Sequence, residues 1–417
     1  MTRIWNKHKQ FHPVRSKTSK MSADAQAHRT SNGAGTPLKR KVFVAMSGGV
    51  DSSVSAAILQ KEGYDITGVF MTVWQPDFLE CSRSDDRQEA MRAAVHLRIP
   101  FLTFDFEKEY KEMVVDYMVA EYKAGRTPNP DVMCNKHIKF GLFLQKAQEM
   151  GADFIATGHY ARIRQLAERE FPISNSQFLN KLQIQNSKRK KLHATRYTLH
   201  AGRDGAKDQS YFLWTLGQKQ LRRTLFPVGD MEKPEVRKLA KKLGLPNAER
   251  KDSQGVCFVG EFDMKDFLKH YISEKRGDVV NKQGDIVGHH DGAFYFTLGE
   301  RHGFTITKKT PHDAPYYVLA KDVTANTLTV SNKKIQEGVN AREVVLSDTH
   351  FVSGEFPDTS KKYSARTRYR QPLASCSIQI NDGVVSVVFD DPRELSAPGQ
   401  SLVLYDGDVC LGGGIIV

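Results

Sequence analysis

The sequence has no apolar run of the roughly 18 to 20 residues that a membrane-spanning helix needs, so we expect no membrane protein. It has only five cysteines in 417 residues, and none forms a C-x-x-C pair. An odd, scattered set without a secretory leader argues against a disulfide scaffold, and its spacing fits no common zinc motif. The Walker A and G-x-G-x-x-G phosphate loops are also missing. What remains is a chain long enough for two or three domains, with reduced thiols.

The body of the chain carries almost no net charge, although the whole chain is at +13. Residues 1–41 contribute +9 through ten Lys and Arg against Asp24, and residues 164–196 contribute +6. The remainder is therefore at −2. Global charge does not attract nucleic acid to this body, so any nucleic-acid surface on it must be a local patch.

Both basic segments differ in composition from the rest of the chain. Residues 1–38 are rich in Lys, Arg, His and Ser, poor in acids, and lack an apolar core segment. This is typical of an organelle presequence, and we expect a disordered targeting extension and a mitochondrial location. Residues 164–196 contain Asn, Gln, Ser and a KRKK run without periodicity, which favours a surface insertion.

The spacing of apolar residues from Lys41 onward predicts alternating strands and helices. Strands are expected at 41–46, 64–71, 100–106 and 153–158, and helices at 54–62, 87–97, 107–123, 138–150, 233–244 and 263–274, with a proline-rich loop at 126–135. This alternation indicates a doubly wound α/β domain with a parallel sheet over 39–274. Short β-rich runs with turn signals then predict a central β-rich domain at 275–340 and a C-terminal β-barrel at 341–417.

A Ser- and Gly-rich loop, SGGVDSS, follows the first predicted strand at residues 47–53. In an open α/β sheet, ligands bind at the carboxyl ends of the strands. Two glycines let the backbone approach a phosphate, and the following helix offers free N–H groups. Asp51 is a candidate ligand for Mg²⁺. The loop resembles the pyrophosphate loop of the N-type ATP pyrophosphatases, enzymes that adenylate an oxygen and release pyrophosphate.

Two later segments each place one cysteine among polar residues. RTPNPDVMCN sets Asp131 and Cys134 three residues apart ahead of the helix expected at 138–150, and a thiol near a helix N-terminus is more readily ionised. KDSQGVCF holds Cys257 in a polar loop. Cys376 and Cys410 are expected to be small buried residues, and Cys81 is left unassigned.

Eight motifs, in this order, are similar to those of the bacterial and mitochondrial tRNA-specific 2-thiouridylases. They are SGGVDSS, GVFM, TPNPDVMCN, ATGHYAR, KDQSYFLW, KDSQGVCF, RYRQ and PGQ. The resemblance covers roughly residues 41–417, and only the N-terminal extension and the 164–196 insertion depart from the bacterial pattern.

The resemblance implies an enzyme that uses ATP and Mg²⁺ to adenylate the 2-oxygen of the wobble uridine and then replaces it with sulfur. ATP would be bound by Ala45, Met46, Ser47, Gly48, Gly49, Val50, Asp51, Ser52, Met71 and Gly158. Cys257 would carry persulfide sulfur received from a donor protein. Cys134 would release it, either by leaving a Cys134–Cys257 disulfide or by freeing hydrosulfide. Asp131 would act as the acid/base group.

The same resemblance implies the tRNA contacts. The target base would meet Asn129, Pro130 and Asp131, and the rest of the tRNA would meet His159, Lys207, Asp208, Gln209, Arg368, Tyr369 and Gln400. We expect a monomer whose partners are tRNA and a sulfur-donor protein.

Three alternatives remain open at this stage. The first is a small-molecule adenylating ligase of the same superfamily, which would not need the cysteine pair. The second is an RNA-binding protein that has lost its chemistry, although Asp51, Asp131, Cys134 and Cys257 are all present. The third concerns mechanism: related thiolases hold an iron–sulfur cluster on three cysteines, whereas D-x-x-C in place of C-x-x-C favours persulfide chemistry without a cluster.

Overall fold

The computed structural model describes residues 39–78, 83–166, 196–252, 263–307, 314–332, 341–393 and 397–417. The predictions made for the extension, for Cys81, for insertion residues 167–195 and for Cys257 lie outside these ranges. Within them, no helix is both long and apolar enough to cross a membrane.

The first part of the described chain alternates strands and helices. Its elements are β1 (Lys41–Ala45), α1 (Val50–Lys61), β2 (Asp65–Thr72), α2 (Arg83–Leu97), β3 (Phe101–Asp105), α3 (Glu107–Tyr110), α4 (Tyr117–Lys123), α5 (Pro130–Met133), α6 (Phe143–Glu149), β4 (Phe154–Ala156), β5 (Ala161–Gln165), β6 (Tyr197–Ala201), α7 (Gln218–Leu221), β7 (Thr224–Leu225), α8 (Lys233–Lys242) and α9 (Met264–Lys269). A π-helical segment, Lys111–Asp116, joins α3 to α4, and another, Cys134–Leu142, joins α5 to α6.

Five of these strands form a parallel sheet in the order β3-β2-β1-β4-β7. Strand β1 is buried on both faces: Val42 and Val44 pack in one cluster, whereas Phe43 packs in another with Phe104 and Phe143. A strand buried on both faces reads as a continuous apolar run, which explains why KVFVA could be recognised. The predicted doubly wound α/β domain is confirmed.

The central part of the chain forms a second, mostly antiparallel sheet. Its strands are β8 (Gly277–Val280), β9 (Ile286–His290), β10 (Thr305–Ile306), β11 (Tyr317–Asp322) and β12 (Thr327–Ser331), in the order β10-β9-β8-β12-β11. Only the β8–β12 pair is parallel. The β-rich domain expected after the α/β domain is therefore present.

The C-terminal strands close into a six-stranded antiparallel barrel, as expected. They are β13 (Ala341–Phe351), β14 (Tyr363–Arg366), β15 (Ala374–Asn381), β16 (Val384–Arg393), β17 (Ser401–Asp406) and β18 (Val409–Ile416). The order is β13-β16-β15-β14-β17-β18, and β18 pairs back with β13.

Strand β18 also pairs with β6, with Val409 opposite His200 and Cys410 opposite Leu199. The β5–β6 hairpin lies within the α/β part of the sequence, yet it extends the sheet of the barrel. The described residues at the two ends of the insertion lie side by side: the Leu166 N–H donates to the Arg196 carbonyl at 2.9 Å.

Candidate active site

The residues expected to bind the nucleotide meet at the carboxyl ends of β1, β2 and β4. Ala45 ends β1, and Met46 follows with its N–H donating to the Val69 carbonyl of β2 at 2.8 Å. Met71 lies near the end of β2 and is 3% exposed. Gly158 lies just beyond β4, where an added Cβ would come within 2.7 Å of the Ser52 nitrogen, so only glycine allows this approach. Three separate stretches of sequence are thus brought to one edge of the sheet.

Serine hydroxyls and an asparagine fix the pyrophosphate loop, residues 47–53. The Ser52 hydroxyl donates to the Gly49 carbonyl at 3.1 Å, and Gly48 has a positive φ of 79°. From the far end of the domain, the Asn247 amide donates to the Gly48 carbonyl at 2.8 Å and to the Ser53 hydroxyl at 2.9 Å. Asn247 is only 2% exposed, and no motif marked it in the sequence. The loop shape therefore depends on a residue nearly 200 positions away.

Helix α1 begins at Val50, four residues earlier than the apolar spacing predicted. Val50 to Ser53 are therefore in its first turn, and Asp51 is an acidic residue at the positive end of the helix dipole. The Tyr160 hydroxyl donates to the Asp51 carboxylate at 2.8 Å, and the Lys233 ammonium contacts its two oxygens at 2.7 and 2.8 Å. Burial, reinforced by the Asp51 charge, raises the pKa of Tyr160 far above its usual range, which keeps this hydroxyl a donor.

The arrangement around Asp51 does not fit a resident metal site. Among the described residues, no group of three or more His, Cys, Asp or Glu side chains is placed to hold a metal ion. Asp51 is one carboxylate, and its oxygens are already engaged by a cation and a hydroxyl. Mg²⁺ is commonly held by one or two carboxylates together with substrate phosphates, so Asp51 suits an ion that arrives with a nucleotide.

Asp252 of the KDSQG motif accepts ion pairs from three cations. The Lys207, Lys233 and Arg237 side chains lie 2.7, 2.8 and 2.6 Å from its carboxylate. Partial burial raises the pKa of Asp252, but hydrogen bonds from Lys207 and Lys233 outweigh this, and the net pKa lies well below its ordinary value. Lys207, singled out as a tRNA contact, is thus tied to the segment that leads to Cys257.

The segment that carries Asp131 and Cys134 is a helix, not the loop expected at 126–135. Asn129 caps it, accepting from the Val132 N–H at 3.3 Å, and Pro130 occupies the first turn. The helix continues through the π-helical Cys134–Leu142 to Glu149, so the predicted start near 138 is wrong by eight residues. Asparagine before proline is a helix-start signal, because proline lacks an N–H that the first turn would leave unpaired anyway.

The helical geometry places Asp131 and Cys134 on one face, since residues three apart are neighbours on a helix. Asp131 is half-buried and Cys134 is fully buried. Cys134 belongs to the same continuous core as Ala45 and Met71 of the nucleotide edge. Cys376 and Cys410 are buried as expected, and burial raises the pKa of each thiol to about 12. Neither is suited to nucleophilic work at neutral pH.

The two other domains both contact the chain that leads into this helix. The Gln400 amide of the barrel donates to the Thr127 carbonyl at 3.0 Å, and the Thr127 N–H donates to the Pro398 carbonyl at 2.7 Å. On its other side, the Thr127 hydroxyl lies 3.2 Å from that of Thr297 in the central domain. Gln400, expected to contact tRNA, therefore anchors the approach to Asn129.

Several other residues expected to contact tRNA are engaged inside the protein. Asp208 is 5% exposed and pairs with Arg366 of the barrel. The Gln209 side chain accepts from the Tyr160 N–H at 3.0 Å. His159 is buried between the rings of Phe140 and Phe226. Their roles toward tRNA stay predictions, and each has a contact that shapes the site itself.

Arg368 and Tyr369 lie nearer the surface. Arg368 is exposed, and its guanidinium donates to the Leu298 carbonyl of the central domain at 3.3 Å. The Tyr369 ring is partly buried against Phe212, at 4.5 Å between centroids. Of the tRNA-contact residues described here, Arg368 is the one with an exposed side chain and a charge suited to phosphate.

Family models and proteins of known function match most of this chain. A family model described as the tRNA methyl transferase HUP domain matches residues 40–261, its PRC-barrel domain matches 265–332, and an aminomethyltransferase beta-barrel domain matches 341–416. The chain is 43% identical over 386 residues to tRNA-specific 2-thiouridylase MnmA of Shewanella pealeana, covering 91% of this chain and 97% of that protein. The chain belongs to the tRNA-specific 2-thiouridylase family.

Other members and some solved structures are similar as well. The 2-thiouridylase of Streptococcus mutans is 40% identical over 381 residues, covering 91% of this chain and 95% of that protein. The U34-tRNA thiolase NcsA from Methanococcus maripaludis, solved with its 4Fe–4S cluster, is 19% identical with a TM-score of 0.31, covering 57% of this chain and 68% of that chain. A 4-thiouridine synthetase in complex with RNA and ATP is 16% identical with a TM-score of 0.30, covering 55% and 50%.

Proposed function

We propose that this protein is an ATP-dependent sulfurtransferase that converts the wobble uridine of tRNA to 2-thiouridine. The observation that carries the proposal is the 43% sequence identity to a 2-thiouridylase over 91% of this chain. It is supported by the convergence of the pyrophosphate loop, Met71 and Gly158 at one sheet edge, where Met71 lies in the same core cluster as Cys134.

The pyrophosphate loop would hold ATP so that the 2-oxygen of the uridine attacks the α-phosphate and pyrophosphate leaves. Mg²⁺ accompanying the nucleotide, with Asp51 as its protein ligand, would neutralise phosphate charge. Adenylation turns the 2-oxygen into a good leaving group. It therefore departs as part of AMP when sulfur attacks the C2 atom. Asp131, one helical turn before Cys134, is suited to move the proton at the base during this exchange.

The sulfur would come from a persulfide on Cys257, loaded by a donor protein. Its terminal sulfur attacks C2, and the Cys134 thiolate then attacks the Cys257 sulfur, which leaves the thiocarbonyl on the base and a Cys134–Cys257 disulfide. A cellular thiol must supply two electrons to reduce that disulfide before the next cycle. In the alternative release, the Cys134 thiolate first attacks the Cys257 sulfur, which frees hydrosulfide and forms the same disulfide, and the hydrosulfide then attacks C2. The Cys257 assignment depends on the KDSQGVCF motif alone.

The test uses full-length protein with ATP, Mg²⁺ and unmodified tRNA, with either sulfide or a persulfide donor, followed by nucleoside mass spectrometry. We expect 2-thiouridine only with ATP, and in the donor arm only with Cys257 intact. The variants Cys257→Ser and Cys134→Ser should each lose at least about 100-fold in that arm, as for nucleophile removal elsewhere. Cys376→Ala, a buried thiol of the barrel, is the matched control and should retain activity.

A different result would move the protein to another class. Pyrophosphate release with a small acid or amide, without 2-thiouridine on any tRNA, would assign it to the small-molecule ligases. Full donor-dependent transfer by Cys257→Ser would reject the persulfide role.

We also propose a mitochondrial location, on the basic, acid-poor composition of residues 1–38. Import of the full-length chain into isolated mitochondria, compared with a chain starting at Lys39, tests it. Equal import of the two would contradict the proposal.

A further inference from the structure

Lys233 is a nearly buried cation that no sequence motif marked. It is the first residue of α8, where the Glu232 N–H donates to Glu235 in a capping arrangement and the Lys233 N–H donates to Asp204 at 3.0 Å. The residue is 8% exposed. Hydrogen bonds therefore hold the backbone at the start of α8. The Lys233 side chain extends from there toward the start of α1.

The Lys233 ammonium lies between the pyrophosphate loop and the segment before Cys257. It is 2.7 and 2.8 Å from the two Asp51 oxygens and 2.8 Å from Asp252. A lysine ammonium has three donors, so these contacts account for all of them. The same ammonium sits 5.9 Å from the centroid of the Tyr160 ring, whose hydroxyl also donates to Asp51.

Asp252 has two cationic partners besides Lys233. Three cations, Lys207, Lys233 and Arg237, pair with the carboxylates of Asp51 and Asp252, and a third carboxylate, Asp204, accepts from the Lys233 N–H. Lys207 and Arg237 both contact Asp252, so the pairing of Asp252 does not depend on Lys233 alone. The Lys233 ammonium lies against the first turn of α1, where N–H groups and the helix dipole also favour an anion.

We infer that Lys233 is a phosphate-binding residue of the ATP site, whose ammonium leaves Asp51 for the β- and γ-phosphate oxygens when a nucleotide enters. The inference rests on the proposed function for the identity of the nucleotide. Lysine suits the task because it binds phosphate as a compact point charge. Asp51 then loses its counterion as the phosphates gain one, which frees its carboxylate for the accompanying cation. Lys233 would thereby contact ATP directly while remaining next to Asp252.

The test measures binding to the full-length protein by calorimetry in metal-free buffer, with pyrophosphate and adenosine as separate probes, and then with ATP. For Lys233→Met we expect pyrophosphate and ATP affinity to fall about 10- to 100-fold, the usual loss for a charge-assisted contact. Adenosine affinity should stay within about twofold, because adenosine has no phosphate for the ammonium to meet. Lys242→Met, on the exposed end of α8, is the matched control and should bind all three as wild type does.

A second pair of variants keeps the inference falsifiable if Lys233→Met fails to fold. In Asp51→Asn, Lys233 has lost its carboxylate partner, and pyrophosphate should bind at least as tightly as to wild type. Asp51→Asn combined with Lys233→Met should bind it about 10-fold or more weakly than Asp51→Asn alone. Equal affinity of those two, or equal loss of adenosine and pyrophosphate, would show that Lys233 is only a structural counterion. Failure of wild type to bind ATP at all would instead reject the proposed function.

Discussion

Burial keeps the imidazole of His159 uncharged. The ring is 7% exposed, packs against Phe140 and Phe226, and its Nδ1 lies 2.7 Å from the Thr157 hydroxyl. Burial is the main cause that lowers the pKa of His159 well below its ordinary value of 6.5, and the nearby Lys139 charge lowers it further. A proton added to this ring would place a positive charge next to two apolar rings. At mildly acidic pH the unfolded chain therefore binds a proton at His159 that the folded state does not bind.

This makes the stability of the protein depend on pH in a definite direction. Above pH 6.5 neither state protonates His159, so it contributes no slope. Below pH 6.5 the unfolded state takes up the proton, and the free energy of unfolding should fall by about 1.4 kcal/mol per pH unit for this one group. We expect His159→Gln to have a shallower slope than wild type between pH 6.5 and 5.5 in urea titrations.

The slope will not vanish, because burial also lowers the pKa of His137, His200, His290 and His350. His302→Gln, at an exposed position, is the control and should retain the wild-type slope. An unchanged slope in His159→Gln would mean that the imidazole is protonated in the folded protein.

Individual residues of the site could be predicted from sequence where they lie in short motifs. SGGVDSS, Asp131 and Cys134 were identified this way, and the structure gathers the loop, Met71 and Gly158 at one edge. Lys233, Arg237 and Asn247 were missed. A lone lysine at the start of a helix and a lone asparagine in a loop have no local signature, because their partners Asp51 and Gly48 are about 180 to 200 residues away.

At the scale of elements, the turn at Pro398–Gln400 positions the start of α5. Gly399 has a φ of 91°, and a Cβ added there would lie 2.9 Å from both the nitrogen and the oxygen of Thr127. Since the backbone of Thr127 cannot rotate aside as a side chain tip would, the added atom must push this chain away. Asn129 and Asp131 follow directly, so the displacement reaches the helix start.

We therefore expect Gly399→Ala to lower the rate of tRNA thiolation about 10- to 100-fold, the loss typical of a small misplacement of reacting groups. ATP affinity should change little, because the pyrophosphate loop belongs to other elements. Gly407→Ala is the matched control: its φ is 59° and an added Cβ meets nothing within 4 Å. It imposes similar backbone strain without the contact. Equal activity of the two variants would rule out the positioning role of the turn.

Most elements could be predicted because their signals are local. The strands and helices of the α/β domain appear in the expected order, with bounds shifted by a few residues. The helix start at Pro130 was missed because two prolines and an asparagine were interpreted as a loop, although Asn129 and Pro130 are also cap and first-turn residues. The pairing of β6 with β18 could not be predicted, because the sequence of neither strand specifies which distant strand it pairs with.

At the scale of the whole molecule, a buried ion pair joins the α/β part to the barrel. Arg366 of β14 donates to the Asp208 carboxylate and, at 2.7 Å, to the Tyr405 hydroxyl. The side chains of Arg366 and Asp208 are 10% and 6% exposed. Nearby, the Trp214 indole donates to the Ser401 hydroxyl at 3.1 Å. Removing one member would leave the other charge buried without its partner.

Arg366→Met should therefore lower the free energy of unfolding by about 3 to 5 kcal/mol, the cost of stranding a buried carboxylate. Urea titration followed by tryptophan fluorescence measures it, since Trp214 lies at this interface. Arg342→Met, at an exposed position of β13, is the control and should change stability by less than about 0.5 kcal/mol. If the free energy of unfolding falls no more than in the control, the ion pair does not stabilise the contact between the α/β part and the barrel.

The pairing of β18 with the β5–β6 hairpin has a consequence for the order of events during synthesis. The hairpin ends at Ala201 and its neighbour begins at Val409, about 200 residues later. At the usual 5 to 20 residues per second, the ribosome needs about 10 to 40 s to supply that neighbour. Until then β6 has an open edge that can pair with a strand of another nascent chain. We therefore expect the nascent chain to need protection of this edge until β18 has been made.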